Sequence, residues 1–61
     1  MTLEQAIAYV NSQADHGAIR AKWADDSAHV VRVMACDPTA RGEVIWWDVW
    51  ELPSGEIYGE W

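Results

Sequence analysis

The run Glu43–Leu52 constrains the fold most, because it holds three of the chain's five tryptophans and is its most β-prone stretch. Side chains on a strand alternate between its two faces. One face would carry Val44, Trp46, Asp48, Trp50 and Leu52, and the other Glu43, Ile45, Trp47, Val49 and Glu51. Both faces are largely apolar in the middle, which predicts a central strand with neighbours at both edges and a layer packed on at least one side.

The N-terminal segment, from Thr2 to about Asp15, has the pattern of an amphipathic helix. Thr2 and Gln5 have the spacing of a capping box, in which two side chains satisfy backbone N–H groups at a helix start. Apolar residues then recur at helical spacing and form one stripe: Leu3, Ala6, Ile7, Val10 and Ala14. Gly17 is expected to end the helix in the left-handed conformation that glycine commonly adopts there.

Three more strands are expected beside the central one. Ala18–Trp23 alternates apolar and basic residues, and His29–Cys36 is apolar on both sides except at Arg32. Asp25, Asp26 and Ser27 form a turn by composition, and the segment 37–42, with Pro38 and Gly42, breaks the next strand. The last strand follows the turn that ends at Glu56.

The segment Leu52–Glu56 predicts a hairpin with a three-residue loop, because Pro53 and Gly55 suit a type I turn followed by a left-handed glycine. Pairing Leu52 with Glu56 sets the register of the last two strands. Trp50 then faces Tyr58, Val49 faces Gly59, Asp48 faces Glu60, and Trp47 faces Trp61. Gly59 is expected to mark a bulge or to leave room for Trp47 and Trp61. One strand back, we expect Arg32 to lie opposite Asp48 and to neutralise both Asp48 and Glu60.

These elements predict an α+β fold over residues 1–61 as one small domain, with an N-terminal helix on one face of a four-stranded antiparallel meander (αββββ). The helix is expected on the drier sheet face: Ile19, Ala21, Val31, Val33, Ile45, Trp47, Val49, Ile57 and Trp61. The opposite face, here called the open face, mixes aromatic rings with both signs of charge. It consists of Arg20, Lys22, Arg32, Met34, Trp46, Asp48, Trp50, Tyr58 and Glu60.

The charge balance is acidic, with ten Asp and Glu against four Lys and Arg and a net charge of −6. Free DNA or RNA is a poor partner for such a surface, whereas a basic protein surface is a good one. The N-terminus lacks the pattern of a secretory signal, and no apolar run approaches the length of a membrane span. Together with the single cysteine, these features predict a cytoplasmic protein.

Catalytic and metal chemistry find little support in the sequence. Cys36 and His29 lie seven residues apart on one predicted strand, which puts their side chains on opposite faces, so Cys36 is expected to be a small buried thiol. One cysteine and two histidines, His16 and His29, are too few for a structural zinc site. No glycine-rich phosphate loop occurs. We therefore expect no enzymatic activity, no metal and no cofactor.

Size, acidity and the lack of catalytic motifs together favour a binding protein. The acidic residues fall at predicted edges and loops, where they would resemble a phosphate backbone to a partner that grips nucleic acid. Exposed aromatic residues would anchor the contact. The favoured hypothesis is an inhibitor of a nucleic-acid-binding enzyme or defence complex, by analogy of size and charge with small phage-encoded DNA mimics such as anti-CRISPR proteins. The acidic contacts would be Asp25, Asp26, Asp37, Glu43, Glu51, Glu56 and Glu60, and the aromatic ones Trp46, Trp50 and Tyr58.

Other interpretations of the same residues remain open. The leading alternative is a homo-oligomer or accessory subunit that associates through the Trp and Tyr side chains of the open face. The rings also resemble a platform for single-stranded nucleic acid, although the basic groove is missing. The simplest alternatives are that the rings cover Arg and Lys stems and that the acids keep a small protein soluble. A small enzyme or ligand binder ranks last.

Overall fold

A computed structural model describes residues 1–14, 17–24, 29–37 and 42–61 and confirms the α+β prediction. The elements are α1 (Leu3–Ala14), β1 (Arg20–Trp23), β2 (Val30–Cys36), β3 (Val44–Glu51) and β4 (Ile57–Glu60). The strands form one antiparallel sheet in the order β1-β2-β3-β4, and α1 contacts all four of them. Within the described part of the chain, no helix is long and apolar enough to span a bilayer.

The predicted strand register is confirmed. Arg32 pairs with Asp48, which in turn pairs with Glu60, and Trp50 pairs with Tyr58. At the hairpin, the Leu52 N–H donates to the Glu56 carbonyl at 2.7 Å. Gly55 has a φ of 91°, as the loop type requires. The loop fixes the register of β4 against β3, and this register decides which face of the sheet each side chain of β4 occupies.

The predicted helix start is confirmed by a reciprocal pair of hydrogen bonds. The Gln5 N–H donates to Thr2 Oγ1 at 3.1 Å, and the Thr2 N–H donates to Gln5 Oε1 at 2.8 Å. Beyond the helix, Gly17 has the expected positive φ of 62°, and the Ala18 N–H donates to Asn11 Oδ1 at 2.8 Å. The helix therefore holds the segment that leads into β1. The expected end near Asp15 lies outside the described residues.

The core lies between α1 and the face of the sheet predicted to carry it. Its buried members come from the helix and the two central strands: Ala6, Val10, Val31, Val33, Ala35, Trp47 and Val49. Ile19 and Trp61 also belong to this side of the sheet, but their side chains are 60% and 61% exposed. Both lie just beyond the ends of the edge strands, where a neighbouring strand covers them on one side only.

Gly59 has a different role from either one expected of it. The pairing of β3 with β4 runs through Val49 and Gly59 without a bulge. A Cβ atom at Gly59 would lie 2.9 Å from Tyr9 Cε1 and 3.0 Å from Val49 Cγ2. Tyr9, which falls outside the predicted apolar stripe of the helix, is half-buried against the core. Gly59 therefore makes room for Tyr9 of the helix, rather than for two tryptophans.

Candidate protein-binding surfaces

The open face carries an ordered row of charges across its middle. Lys22, Arg32, Asp48 and Glu60 are register partners on four successive strands, and all four are exposed. Two cations on β1 and β2 therefore stand beside two carboxylates on β3 and β4. We call this row the charge ladder.

Only the two central members of the charge ladder form an ion pair among the described residues. Arg32 Nε lies 3.4 Å from Asp48 Oδ1, with both side chains about half exposed, at 54% and 51%. Exposed pairs of this kind contribute about 0.2–1 kcal/mol. The expected neutralisation of Glu60 by Arg32 is not seen, so Glu60 stands beside Asp48 as a like charge. Each end of the ladder keeps a charge that no described ion pair satisfies.

Lys22 and Trp46 form a cation–π contact on the open face. Lys22 Nζ lies 5.1 Å from the centre of the Trp46 ring, within the range of an attractive interaction. Trp46 is nevertheless 43% exposed. The lysine ammonium group thus lies over the ring, which is the cation–π arrangement of the simplest sequence alternative, and a large part of the ring surface remains exposed.

Trp50 and Tyr58 form a second aromatic site. Their ring centres lie 5.0 Å apart at an interplanar angle of 64°, an edge-to-face arrangement that aromatic pairs prefer. Trp50 is half-buried and Tyr58 is exposed. Trp46 and Trp50 each lie two residues from Asp48 along β3, so the two aromatic sites flank the charge ladder at about 7 Å on either side.

The acidic residues proposed as partner contacts occupy two ends of the sheet rather than one continuous run. Glu43 precedes β3, Glu51 is its last residue, and Glu56 lies in the hairpin; all three are exposed. Glu43 and Glu51 are eight residue steps apart along the strand, a distance of about 27 Å. Asp37, near Glu43, is half-buried and has contacts of its own. Glu60 belongs to the open face, and Asp25 and Asp26 lie outside the described residues.

Glu51 makes a contact that the sequence did not predict. The α-ammonium group of Met1 lies 3.0 Å from Glu51 Oε1, although the two residues are far apart in the chain. Together with Trp23 and His29, they line a cavity of about 250 Å³. The carboxylate and the ammonium group in this cavity compensate each other, so its wall has little net charge to offer a ligand.

The expectation of a buried thiol is wrong, because Cys36 is exposed. It is the last residue of β2 and points to the side of the sheet that has no helix; its cross-strand partner, Val44, is also 49% exposed. His29 precedes the other end of β2, about 23 Å away along the strand, so the two do not form a nucleophile and base pair. No group of three His, Cys, Asp or Glu side chains within the described ranges is placed to hold a metal ion. His16 lies outside those ranges.

The chain matches no protein-family model, no curated protein and no solved structure.

Proposed function

We propose that this chain is a non-enzymatic binding protein whose acidic surface occupies a basic, nucleic-acid-binding surface of a partner protein. It would act as an inhibitor of the small DNA-mimic kind found among phage-encoded anti-defence proteins. The observation that carries the proposal is the separation of charge between the open face and the rest of the molecule.

Cations are concentrated on one side of the sheet. Of the four Lys and Arg residues, Arg20, Lys22 and Arg32 lie on the open face, and Arg41 lies outside the described residues. Two exposed carboxylates, Asp48 and Glu60, share that face. The other exposed carboxylates of the described residues occupy the first turn of the helix and the ends of the strands: Glu4, Glu43, Glu51 and Glu56. Among the described groups, only the Met1 ammonium offsets any of these. Among the described residues, the open face therefore carries three cations and two carboxylates, whereas the helix start and the strand ends carry carboxylates and no Lys or Arg.

The spacing of these carboxylates suits an extended cationic partner. The distance of about 27 Å between Glu43 and Glu51 corresponds to about eight base steps of duplex DNA. Since surface charges this far apart are screened from one another at physiological salt, they would act as separate contacts on one long basic groove. Such contacts raise the association rate and select a partner by charge, and they weaken as salt increases.

The test compares two variants of equal net charge. Glu43→Gln/Glu56→Gln removes carboxylates from the strand ends, and Asp48→Asn/Glu60→Gln removes the same charge from the open face. The wild type and both variants are immobilised, and each is exposed to bacterial proteins that were first enriched by binding to heparin. We expect the wild type and the open-face variant to retain a protein that duplex DNA displaces, and the strand-end variant to lose it. Retention that survives ~500 mM salt, or that DNA does not displace, would contradict the proposal, because exposed charges are screened at that salt.

A further inference from the structure

We propose that the open face is the contact surface between two copies of this chain, related by a two-fold axis that runs parallel to the strands. On that face Trp46 is 43%, Tyr58 45% and Val44 49% exposed. The other large apolar side chains that are exposed lie on the helix side, at the ends of the edge strands: Ile19, Trp23 and Trp61. Those of the open face lie on the neighbouring strands β3 and β4, and exposed apolar side chains grouped in this way are typical of an interface.

The charge ladder makes the open face complementary to itself. An axis parallel to the strands and between β2 and β3 places β1 of one copy over β4 of the other. Lys22 then faces Glu60 of the second copy, and Arg32 faces Asp48 of the second copy. The two cations of each copy therefore face the two carboxylates of the other copy. Both ends of each ladder, which no described ion pair satisfies, gain a partner of opposite charge.

The charges select this arrangement over the other face-to-face dimer. A two-fold axis perpendicular to the strands would lay each strand over its own copy, and Lys22 would face Lys22. Like charges placed opposite each other across an interface suppress association. In the selected arrangement, each β3 residue lies opposite the copy of its own β2 register partner in the second chain. Trp46 then lies over Met34 of the second copy and Trp50 over Val30, so apolar surface covers apolar surface on both sides of the charge ladder.

The size of the face sets the strength of the dimer. Four strands spaced about 4.8 Å apart present a flat area of only about 400 Å², below the ~800 Å² that each partner buries in a standard interface. We therefore expect a weak, reversible dimer rather than a permanent one. Dimerisation would cover Lys22 and Arg32 and leave the strand-end carboxylates outside.

The decisive experiment exchanges the two end charges of the ladder. Lys22→Glu and Glu60→Lys each place like charges opposite each other in the homodimer, twice because of the symmetry. Within each monomer, both changes remove a like-charge neighbour, since Lys22 pairs with Arg32 and Glu60 with Asp48. Neither variant is therefore expected to unfold, and circular dichroism checks this.

Sedimentation equilibrium at ~50 mM salt should show each single variant dimerising about tenfold more weakly than the wild type. An equimolar mixture of the two should recover wild-type affinity, because both end contacts are then attractive. Native mass spectrometry, with one of the two variants uniformly labelled with ¹⁵N so that the chains differ in mass, should show the heterodimer in excess over both homodimers.

A second pair of variants tests the same surface without changing charge. Trp50→Ala removes an open-face ring and should weaken the dimer at least tenfold, whereas Trp61→Ala removes an exposed ring from the other side and should leave it unchanged. A wild-type chain that remains monomeric up to ~1 mM overturns the proposal. The proposal is also overturned if both Lys22→Glu and Glu60→Lys dimerise with wild-type affinity and the mixture shows no excess of heterodimer. Such a dimer would use an edge strand or the helix instead of the open face.

Discussion

The two sides of the sheet differ in how their side chains are used, although β2 and β3 build both. On the helix side, Val33 and Val49 are fully buried and Trp47 is 5% exposed. On the open side, the neighbouring residues Arg32 and Asp48 are about half exposed and form a single ion pair. Alternation along the strand thus divides one continuous apolar run into a core and a surface. Core burial provides most of the folding free energy, and the surface keeps rings and charges free to bind.

This difference teaches that stability and binding can be changed separately in this domain. Removing a buried side chain costs the transfer free energy and leaves a cavity, whereas removing an exposed one costs little. Variants one residue apart on the same strand should therefore have opposite consequences. Stability is compared at a protein concentration low enough that dimerisation does not add to it.

Trp47 and Trp46 provide the strongest contrast. Trp47→Ala removes a nearly buried indole from the core and should lower the free energy of unfolding by about 3–5 kcal/mol, enough to unfold much of so small a domain. Trp46→Ala removes a 43% exposed ring and should cost less than about 1 kcal/mol. Urea denaturation followed by circular dichroism measures both. Equal losses in the two variants would mean that the open side contributes to the core.

Gly59 tests how closely the helix packs on the sheet. Gly59→Ala places a methyl group 2.9 Å from Tyr9 Cε1, which should cost about 1–3 kcal/mol in spite of the small gain from restricting the unfolded chain. In a Tyr9→Ala background the same change should cost less, because the closest atom has gone, but some cost should remain, since Val49 Cγ2 at 3.0 Å and the Asp48 carbonyl oxygen at 3.2 Å are still in place. Chemical denaturation of the wild type, the two single variants and the double variant gives the coupling energy between positions 9 and 59. An additive result would show that Tyr9 does not limit the space at Gly59.

The fold was predictable because its signals are local and agree with one another. The five-residue segment around Pro53 and Gly55 fixes the hairpin, and its register carries the pairing of β3 with β4. Arg32, the one charged residue in β2, could then be matched to Asp48. The open face, with Trp46, Trp50 and Tyr58, followed from alternation alone.

The remaining details depend on tertiary contacts that a single sequence does not encode locally. Tyr9 and Gly59 are complementary only because the helix crosses the sheet at one place, and the ion pair between Met1 and Glu51 depends on where the helix begins. Burial of Cys36 was predicted from its residue type, but its position at a strand end on the open side decides its exposure. For the candidate site, the sequence predicted that Glu43 and Glu51 lie at the two ends of the central strand, but not that Arg32 pairs with Asp48 alone and leaves Glu60 without a described ion pair.

Thr2 tests how much of the helix is stabilised by its own cap rather than by the sheet. Thr2→Ala removes the oxygen that accepts the Gln5 N–H and should destabilise the domain by about 1 kcal/mol. Thr2→Ser keeps a hydroxyl in the same place and should be close to neutral. Thermal denaturation of both variants measures the difference. If Ser and Ala are equally destabilising, the capping hydrogen bond contributes nothing and the loss comes from the missing methyl group.

The smallest effect is expected for the ion pair on the open side. A double-mutant cycle with Arg32→Gln and Asp48→Asn should give a coupling energy of about 0.5 kcal/mol at ~50 mM salt, and close to zero at ~500 mM, because both groups are half exposed and screened. Asp48→Asn alone should cost little, since it also relieves the repulsion between Asp48 and Glu60, its partner on β4. Urea denaturation at both salts measures the cycle. A coupling above about 2 kcal/mol that persists at high salt would require the pair to be shielded from water. The middle of the open side would then be buried like the helix side, and the two sides would no longer differ in exposure there.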